Sequence, residues 1–256
     1  MFLRLLLPII VFIGGATGLY VYQSGIPSST ATSTAQVVRT STPPAIATVI
    51  KTNLSVTPKG EDKAENISSS TEVKEGDTLE TSTSGRGVIE MSNGSTAVLD
   101  YDSSMTITQT GEAGNQTSLA LQSGGVWAQV KKVFGQGEFF EIRSQNAVAV
   151  VRGTSFGLTY HKDGSTTIFV ASGAVKLTPL DPKTGEELTP KAIEVSAGSK
   201  GMVNTNGSVT KSALSLKEKQ NEWYLFNTDE SLKPESKPAP TTEVKKDAPP
   251  PVAKKG

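Results

Sequence analysis

Cysteine is absent from this chain, and histidine occurs once, at position 161. A chain without cysteine forms no disulfide, has no catalytic thiolate and cannot bind zinc through thiolates. One histidine is also too few for a histidine-rich metal site. The nearest approach to an oxygen-ligand calcium site is Asp100-Tyr101-Asp102, a sequence typical of a polar turn after a strand. The sequence therefore predicts no metal and no cofactor.

An excess of charge of either sign is also missing. The chain carries 25 Lys and Arg against 25 Asp and Glu, so its formal net charge is zero. A neutral chain has no overall positive field to attract a polyanion. Nucleic acid is therefore not a predicted partner.

The apolar run long enough to span a membrane is residues 5–22, which carry no charged side chain. As a helix this segment would be about 27 Å long, close to the ~30 Å hydrocarbon core of a bilayer. Arg4 precedes it and the next basic residue is Arg39, so the positive-inside rule places the N-terminus in the cytoplasm. We expect residues 1–22 to be a single-pass anchor in the cell membrane, with the rest of the chain extracytoplasmic.

The alternative for this segment is a cleaved signal peptide, whose cleavage region would be the small residues at positions 14–18. Apolar residues return at positions 19–22, and Tyr20 and Tyr22 stand where interfacial aromatic residues would lie. This return favours an anchor that is retained.

Polar segments flank the central part of the chain. Residues 23–70 are rich in Ser, Thr and Pro, and residues 229–256 are rich in Lys, Pro and Ala. Both have too little apolar surface to offset the conformational entropy lost on folding, so we predict a disordered tether and a disordered tail. Short apolar stretches at 46–50 and 54–56 are compatible with edge strands, but their surroundings favour a linker.

Residues 71–210 contain many short strand-like segments at a spacing of about 8–12 residues, without intervening helices. Asn93-Gly94 and Asp163-Gly164 each separate two such segments, which is a strong signal of a β-hairpin. The pattern predicts an all-β domain, built as an antiparallel multi-stranded sandwich or roll. An irregular β-solenoid is the alternative, because no repeat of fixed length indicates a regular one.

The centre of this region is the run 124–156. The pair Gly124-Gly125 is expected to turn the chain, and residues 147–151, apolar on both faces, predict a fully buried strand. Arg152 follows that strand, and burying a guanidinium is costly unless it is paired. We interpret Arg152 as a structural residue that binds a turn or a carboxylate, with ligand recognition as the alternative. Gly153 would let the chain turn there.

Residues 211–228 predict a short C-terminal helix, because Ser215 and Glu218 have the spacing of a capping box. Leu216 and Trp223 fall on one face of this helix. We expect it to dock Trp223 and Phe226 against the sheet, and a helix that binds a partner is the alternative.

Residues 153–157, Gly-Thr-Ser-Phe-Gly, fit the G-x-S-x-G pattern of a serine-hydrolase nucleophile elbow. Such an elbow requires a strand-to-helix turn, with an acid and then a histidine later in the chain. Here the following residues predict another strand, and His161 comes without an intervening carboxylate. The sequence therefore does not predict a serine hydrolase.

Four motifs that follow one another resemble the FecR domain. They are Leu121-x-x-Gly124-x-Val126-Trp127, Phe140-x-Ile142, Ala149-x-Val151-Arg152-Gly153-Thr154-x-Phe156, and a Val170-to-Val175 segment that is one residue longer before its glycine than the family pattern. The resemblance covers about residues 73–203, roughly half of the chain. Its structural or partner-binding candidates are Trp127, Arg152, Gly153, Thr154 and Phe156.

The resemblance implies an extracytoplasmic β domain that binds another protein and performs no catalysis. The best-known FecR proteins relay a receptor's state to a cytoplasmic sigma factor. With residues 1–4 alone on the cytoplasmic side, we do not expect that anti-sigma role here. The predicted function is a membrane-anchored sensor or scaffold that binds a protein or an envelope polymer. The alternative is an envelope carbohydrate-active enzyme with carboxylates from separate strands.

Overall fold

The structure is a computed structural model that describes residues 45–51, 53–111, 116–132 and 138–229. The predicted membrane segment, the first part of the predicted tether and the tail from residue 230 lie outside these ranges. Within the ranges, neither helix has the length and apolar character needed to cross a membrane.

Strands dominate the described domain, which confirms the predicted all-β class. The first nine are β1 (Ala45–Lys51), β2 (Leu54–Thr57), β3 (Glu65–Ile67), β4 (Ser70–Val73), β5 (Thr78–Thr81), β6 (Arg86–Met91), β7 (Thr96–Leu99), β8 (Ser104–Thr110) and β9 (Gln116–Gln129). The next are β10 (Phe139–Arg143), β11 (Ala147–Val151), β12 (Ser155–Tyr160), β13 (Thr166–Ser172), β14 (Ala174–Pro179), β15 (Ile193–Ser196), β16 (Ser199–Val203) and β17 (Val209–Ala213). Two short helices follow, α1 (Leu216–Lys219) and α2 (Glu222–Thr228).

The strands form two layers that share β9. Sheet A has the order β4-β1-β6-β7-β9-β12-β13-β16-β17. Sheet B has the order β3-β2-β5-β8-β9-β10-β11-β14-β15. The pairing of β9 with β10 is parallel and the other strand pairings are antiparallel. The sheet is therefore mixed, which corrects the prediction of a purely antiparallel one.

The chain adds hairpins to the two sheets in turn. After β9, the pair β10–β11 joins sheet B, β12–β13 joins sheet A, β14–β15 joins sheet B and β16–β17 joins sheet A. Strand order in each sheet therefore largely follows chain order. The arrangement combines the two layers expected of a sandwich with the stepwise progression expected of a solenoid.

The hydrophobic core lies between the two sheets. Alternate residues of each strand point inward, as the twofold period of a β-strand requires. Ile89 and Leu99 of sheet A and Leu54 and Leu79 of sheet B are fully buried in it. The layers approach closely at Gly87, where an added Cβ would lie 2.8 Å from Leu54 Cδ2.

Strand β9 passes from sheet B to sheet A without a turn. Its first half pairs with β8 and β10, and its second half pairs with β7 and β12. The predicted turn at Gly124-Gly125 is therefore wrong. The two glycines instead let one strand bend between the layers, because Gly124 has a φ of +78° and Ser103 Oγ accepts the Gly125 N–H at 2.9 Å.

Gly124→Ala is expected to lower the free energy of unfolding by about 2–4 kcal/mol. Its φ is left-handed, and a Cβ would lie 2.3 Å from Ser103 Oγ and 2.6 Å from the Asp102 carbonyl oxygen. Gly185 is the matched control, because its φ is +73° but nothing lies within 4 Å of an added Cβ. Urea unfolding of both variants measures the difference. Equal losses for the two would show that space at Gly124 is not limiting.

The sheets begin earlier than the sequence predicted. Residues 45–70 were expected in the tether, yet β1 lies between β4 and β6, and β2 lies between β3 and β5. Ala45 and Ala47 are buried in β1. Small alanine side chains add little to the hydrophobicity of a segment rich in Ser, Thr and Pro. The composition of this segment therefore did not predict that β1 and β2 are interior strands.

Both predicted hairpins are confirmed, and the predicted fully buried strand is confirmed apart from Val150, which is half-buried. Asn93-Gly94 joins β6 to β7, and Asp163-Gly164 joins β12 to β13. Strand β11 is buried on its inner side and at Val148, which faces outward yet has 0% exposure. At the other end of the domain, the predicted helix over 211–228 is replaced by the end of β17 and two short helices.

Candidate binding site

An apolar row crosses the outer face of sheet A. Val88, Val98, Trp127, Gly157 and Phe169 are successive cross-strand neighbours in this row. Gly157 leaves room for the indole, since a Cβ there would lie 2.6 Å from Trp127 Cε3. Trp127 points away from the core and is nevertheless fully buried. The row must therefore be covered from outside.

Helix α2 provides the cover. The rings of Trp223 and Tyr224 meet Trp127 edge-on, with centroids 6.4 Å and 5.5 Å away, and Phe226 stacks on Trp223. Trp127 Nε1 donates to Ser155 Oγ at 3.1 Å. The prediction that Trp223 and Phe226 dock on the sheet is confirmed.

Helix α1 contributes little to this packing. The predicted capping box is present, since Ser215 Oγ accepts from the Glu218 N–H and the Glu218 side chain accepts from the Ser215 N–H. Leu216, however, is 78% exposed. The prediction that Leu216 shares a buried face with Trp223 is wrong, because the chain breaks into two helices at Gln220 and Asn221.

Arg86 joins α2 to sheet A. Its Nη1 and Nη2 donate to the two Glu222 carboxylate oxygens at 2.7 and 2.8 Å. Its Nε and Nη2 donate to Asp100 Oδ1 at 3.0 and 2.8 Å. The Arg86 side chain is only 1% exposed. A buried guanidinium is thus paired with one carboxylate from the sheet and one from the helix.

Aromatic rings surround the same guanidinium. Its central carbon lies 4.1 Å from the centroid of Tyr101, 4.5 Å from that of Phe226 and 4.9 Å from that of Trp223. Together, Arg86, Asp100, Glu222 and these three rings form what we call the latch. The latch connects residues 136 positions apart in the chain.

The two carboxylates of the latch respond to it in opposite ways. Burial raises the pKa of Asp100 above its ordinary value, against the opposing hydrogen bonds from Tyr101 and Arg86. The hydrogen bond from Arg86 lowers the pKa of Glu222. Asp100 is 24% exposed and Glu222 is 67% exposed, which explains why desolvation dominates only at Asp100.

The structural role predicted for Arg152 stays a prediction. Arg152 is exposed on the turn after β11, so the cost of burying a guanidinium falls on Arg86 instead. Arg86 is the first residue of β6 and faces outward. The sequence shows only a basic residue at the start of a strand, which does not predict burial. Its partner Glu222 is too distant in the chain for sequence reasoning to pair the two.

The other predicted candidates lie close to this face. Gly153 has a φ of +63°, in keeping with its predicted role in the turn. Thr154 is buried and its Oγ1 donates to the Ala174 carbonyl at 2.9 Å. Phe156 is fully buried in the core between the sheets, and Ser155 lies on strand β12 rather than on a strand-to-helix turn.

A groove of about 660 Å³ runs between the turn at 153–155 and the end of α2. Hydroxyl and amide side chains are prominent in its walls: Thr96, Gln129, Thr154, Ser155, Ser172, Asn227 and Thr228. Lys131 also borders it, and Gln129 Nε2 donates to the Asn227 carbonyl across it at 3.0 Å. Thr154, Ser155 and Asn227 already take part in hydrogen bonds within the domain, whereas Lys131 is exposed at the edge of the groove.

A second cleft, of about 620 Å³, is lined by residues of α1, α2 and sheet A. Its walls include the aromatic rings of Phe169, Trp223 and Tyr224 together with Asp100 and Lys200. Elsewhere, His161 is half-buried and its Nε2 lies 3.0 Å from Thr167 Oγ1. Across the described ranges, no group of three or more His, Cys, Asp or Glu side chains is placed to hold a metal ion.

Acid is expected to loosen α1. Hydrogen bonds from Lys200 and Ser215 lower the pKa of Glu218 from 4.5 to about 2. Because the folded-state pKa is the lower one, this contribution is present above pH 4.5 and is lost as the pH falls toward 2. The pair is partly exposed, so its loss should cost less than about 1 kcal/mol. Tryptophan fluorescence during an acid titration follows this change, and Glu218→Gln should lack it. An identical titration for both proteins would contradict the assignment to Glu218.

Comparison with known families identifies the central part of this domain. Residues 77–176 match the model of the FecR protein family. The chain contains a FecR domain. The resemblance seen in the sequence motifs is thereby confirmed. The matched segment includes Arg86, Trp127 and the turn at Arg152, and it ends before β15 and the two helices.

Solved structures and curated proteins were compared as well. Two crystal structures of a candidate anti-sigma factor from Parabacteroides distasonis ATCC 8503, at 2.50 and 1.65 Å resolution, each align with a TM-score of 0.45 and 17% identity. The alignment covers 55% of this chain and 61% of the solved chain, so about three fifths of that protein's length is matched. No curated protein matches.

Proposed function

We propose that the chain is a non-enzymatic, membrane-anchored interaction module with its FecR domain outside the cytoplasm. It would act as a sensor or scaffold that binds a protein or an envelope polymer. Residues 5–22 would form the anchor, on the apolar length and flanking charge described above. The FecR match supports the domain assignment.

The groove beside the turn at 153–155 is the observation that carries this proposal. Its hydroxyl and amide groups belong to sheet A, to the short turn at Thr154 and to the end of α2, so they are not carried on long loops. Such a surface can exchange hydrogen bonds with an extended peptide or with the hydroxyl groups of a polysaccharide. The FecR turn is thus part of a binding wall.

The arrangement of carboxylates favours binding over catalysis. Asp100 and Glu222 come together from distant parts of the chain, as the alternative of a carbohydrate-active enzyme requires. Both, however, are bound to the same Arg86 guanidinium. A glycosidase needs one carboxylic acid that donates a proton and one carboxylate that attacks or activates water. Because the carboxylates of Asp100 and Glu222 already accept hydrogen bonds from Arg86, we assign them a structural role.

Capture of partners by the full-length chain tests the proposed function. Lys131→Glu alters an exposed side chain of the groove, and Lys176→Glu makes the same change on the exposed outer face of sheet B. We expect wild type and Lys176→Glu to enrich the same protein from solubilised membranes, or to co-sediment with purified peptidoglycan, and Lys131→Glu to lose at least tenfold. Enrichment that is equal in all three, or absent in wild type, contradicts the proposal. Release of reducing sugar ends from the polymer would instead support the enzyme.

A further inference from the structure

We propose that the outer face of sheet A also receives the C-terminal strap of a second copy of this chain, so that two chains can exchange straps. The C-terminal strap is defined here as residues 215–229, which contain α1 and α2. This inference goes beyond the proposed function, because it concerns contacts between copies of the chain and needs no other partner.

The strap is held by contacts that a second copy could make equally well. Glu222 binds Arg86, the Asn227 carbonyl binds Gln129, and Glu218 binds Lys200. These partners lie 136, 98 and 18 residues away in the chain. None of these three contacts requires the strap and the sheet to belong to the same chain. The strap of another copy carries the same groups and could make the same contacts.

The connection between strap and domain is short. Leu214, directly before the strap, donates its N–H to the Gly198 carbonyl at 2.9 Å and is the last buried residue before Trp223. Strand β17, which ends at Ala213, is the edge strand of sheet A. Rotation near Ser215 would therefore move the strap without disturbing an interior strand.

The docked strap is also incompletely satisfied. Trp223 Nε1 is buried, and no atom of the described residues accepts its hydrogen bond. Helix α1 buries no residue, and α2 buries only Trp223 and Asn227 among its seven. Few buried residues and a buried unpaired donor weaken the docked strap, which is held chiefly through Glu222 on Arg86 and the rings on Trp127. It can open while the two sheets remain folded.

The receiving face defines the chemistry of its occupant. Arg86 requires a carboxylate, and Trp127 with the surrounding rings requires aromatic side chains placed next to it. The strap supplies these as Glu222-Trp223-x-x-Phe226. The structure shows this fit within one chain, and a second copy carries the same groups.

A cross-linking experiment on full-length chains tests the exchange. Arg86→Ala keeps an intact strap but loses the receiving group, whereas Glu222→Ala keeps the receiving group but has a defective strap. The first is prepared unlabelled and the second with ¹⁵N, and the mixture is treated with a carbodiimide, which joins an amine to a contacting carboxylate. The ion pair of Lys200 and Glu218 reports which strap lies on which sheet.

We expect mixed-isotope cross-links in one direction. Unlabelled Glu218 should be joined to ¹⁵N-labelled Lys200 at least tenfold more often than the reverse combination. The intact strap of one variant then lies on the intact face of the other. Cross-links confined to a single isotope, or equal amounts in both directions, would overturn the proposal.

A peptide experiment covers the possibility that Arg86→Ala does not fold. The fluorescent peptide 215–229 is titrated into full-length Glu222→Ala, whose altered side chain is largely exposed. It should bind at least tenfold more tightly than to wild type, because the defective strap competes less. Full-length Glu187→Ala, which removes another partly exposed Arg partner, should behave as wild type. Equal affinity for Glu222→Ala and wild type, or equal binding of a peptide carrying Glu222→Ala, would contradict exchange.

Discussion

Arg86→Ala is expected to lower the free energy of unfolding by about 3–5 kcal/mol. The guanidinium makes four hydrogen bonds to two carboxylates and lies between three aromatic rings. Its removal leaves Asp100 with a largely buried carboxylate and no cation to compensate for the desolvation. Urea unfolding monitored by circular dichroism measures the loss.

Arg143→Ala is the control for this substitution. Arg143 also pairs with two carboxylates, Glu141 and Glu187, but it is 39% exposed. Exposed pairs contribute little because water and salt screen them, so the expected loss is below about 1 kcal/mol. If the two arginine variants lose the same amount, burial of the latch does not determine its contribution.

Asp100→Asn distinguishes the two halves of the latch without removing the cation. The substitution keeps an oxygen that can accept a hydrogen bond from Arg86. It removes the negative charge of the Asp100 carboxyl group, whose pKa is raised by burial. Its cost should therefore be smaller than that of Arg86→Ala. This difference separates the penalty of a buried unpaired charge from the attraction within the pair.

Trp127→Ala is the second substitution with a large expected effect. It should lower the free energy of unfolding by about 3–5 kcal/mol. The indole is fully buried between Gly157 on the sheet and Trp223 and Tyr224 on α2. Its removal leaves a cavity beneath α2, and β12 cannot move in to fill it because this strand is paired with β9 and β13 on its two sides. Calorimetry and urea unfolding measure the loss.

Two further substitutions locate the origin of this effect. Trp127→Phe keeps an aromatic ring under the helix and removes the hydrogen bond to Ser155, so it should cost clearly less than alanine. Trp223→Ala removes the other side of the contact and should detach α2 while the sheets persist. Unfolding of the whole domain by Trp223→Ala to the same extent as by Trp127→Ala would show that the strap is an integral part of the core.

The folded domain extends beyond the segment that matches the FecR family. The FecR match ends at residue 176, yet Arg86 within it is completed by Glu222 outside it. Sheets A and B likewise need β1 and β2, which precede the match. The stable domain therefore extends over the described residues from 45 to 229, and variants for binding studies should retain both flanks.

Local chemistry accounts for what could be predicted from the sequence. Asn-Gly and Asp-Gly turns determine hairpins because few residues adopt their backbone conformations, and apolar alternation determines which side of a strand is buried. The capping box at Ser215 and the motifs around Trp127 and Arg152 were recognisable for the same reason. Each depends on neighbours within a few positions of the chain.

The sequence by itself determined an all-β FecR domain, its two hairpins, its buried strand β11 and the docking of Trp223. Only the tertiary structure decided that Arg86, rather than Arg152, is the buried arginine, and that Ala45 begins an interior strand. Both outcomes depend on contacts between segments far apart in the chain, Arg86 with Glu222 and β1 with β6. Composition and spacing carry no information about such contacts, because burial is a property of what covers a side chain and not of the side chain alone.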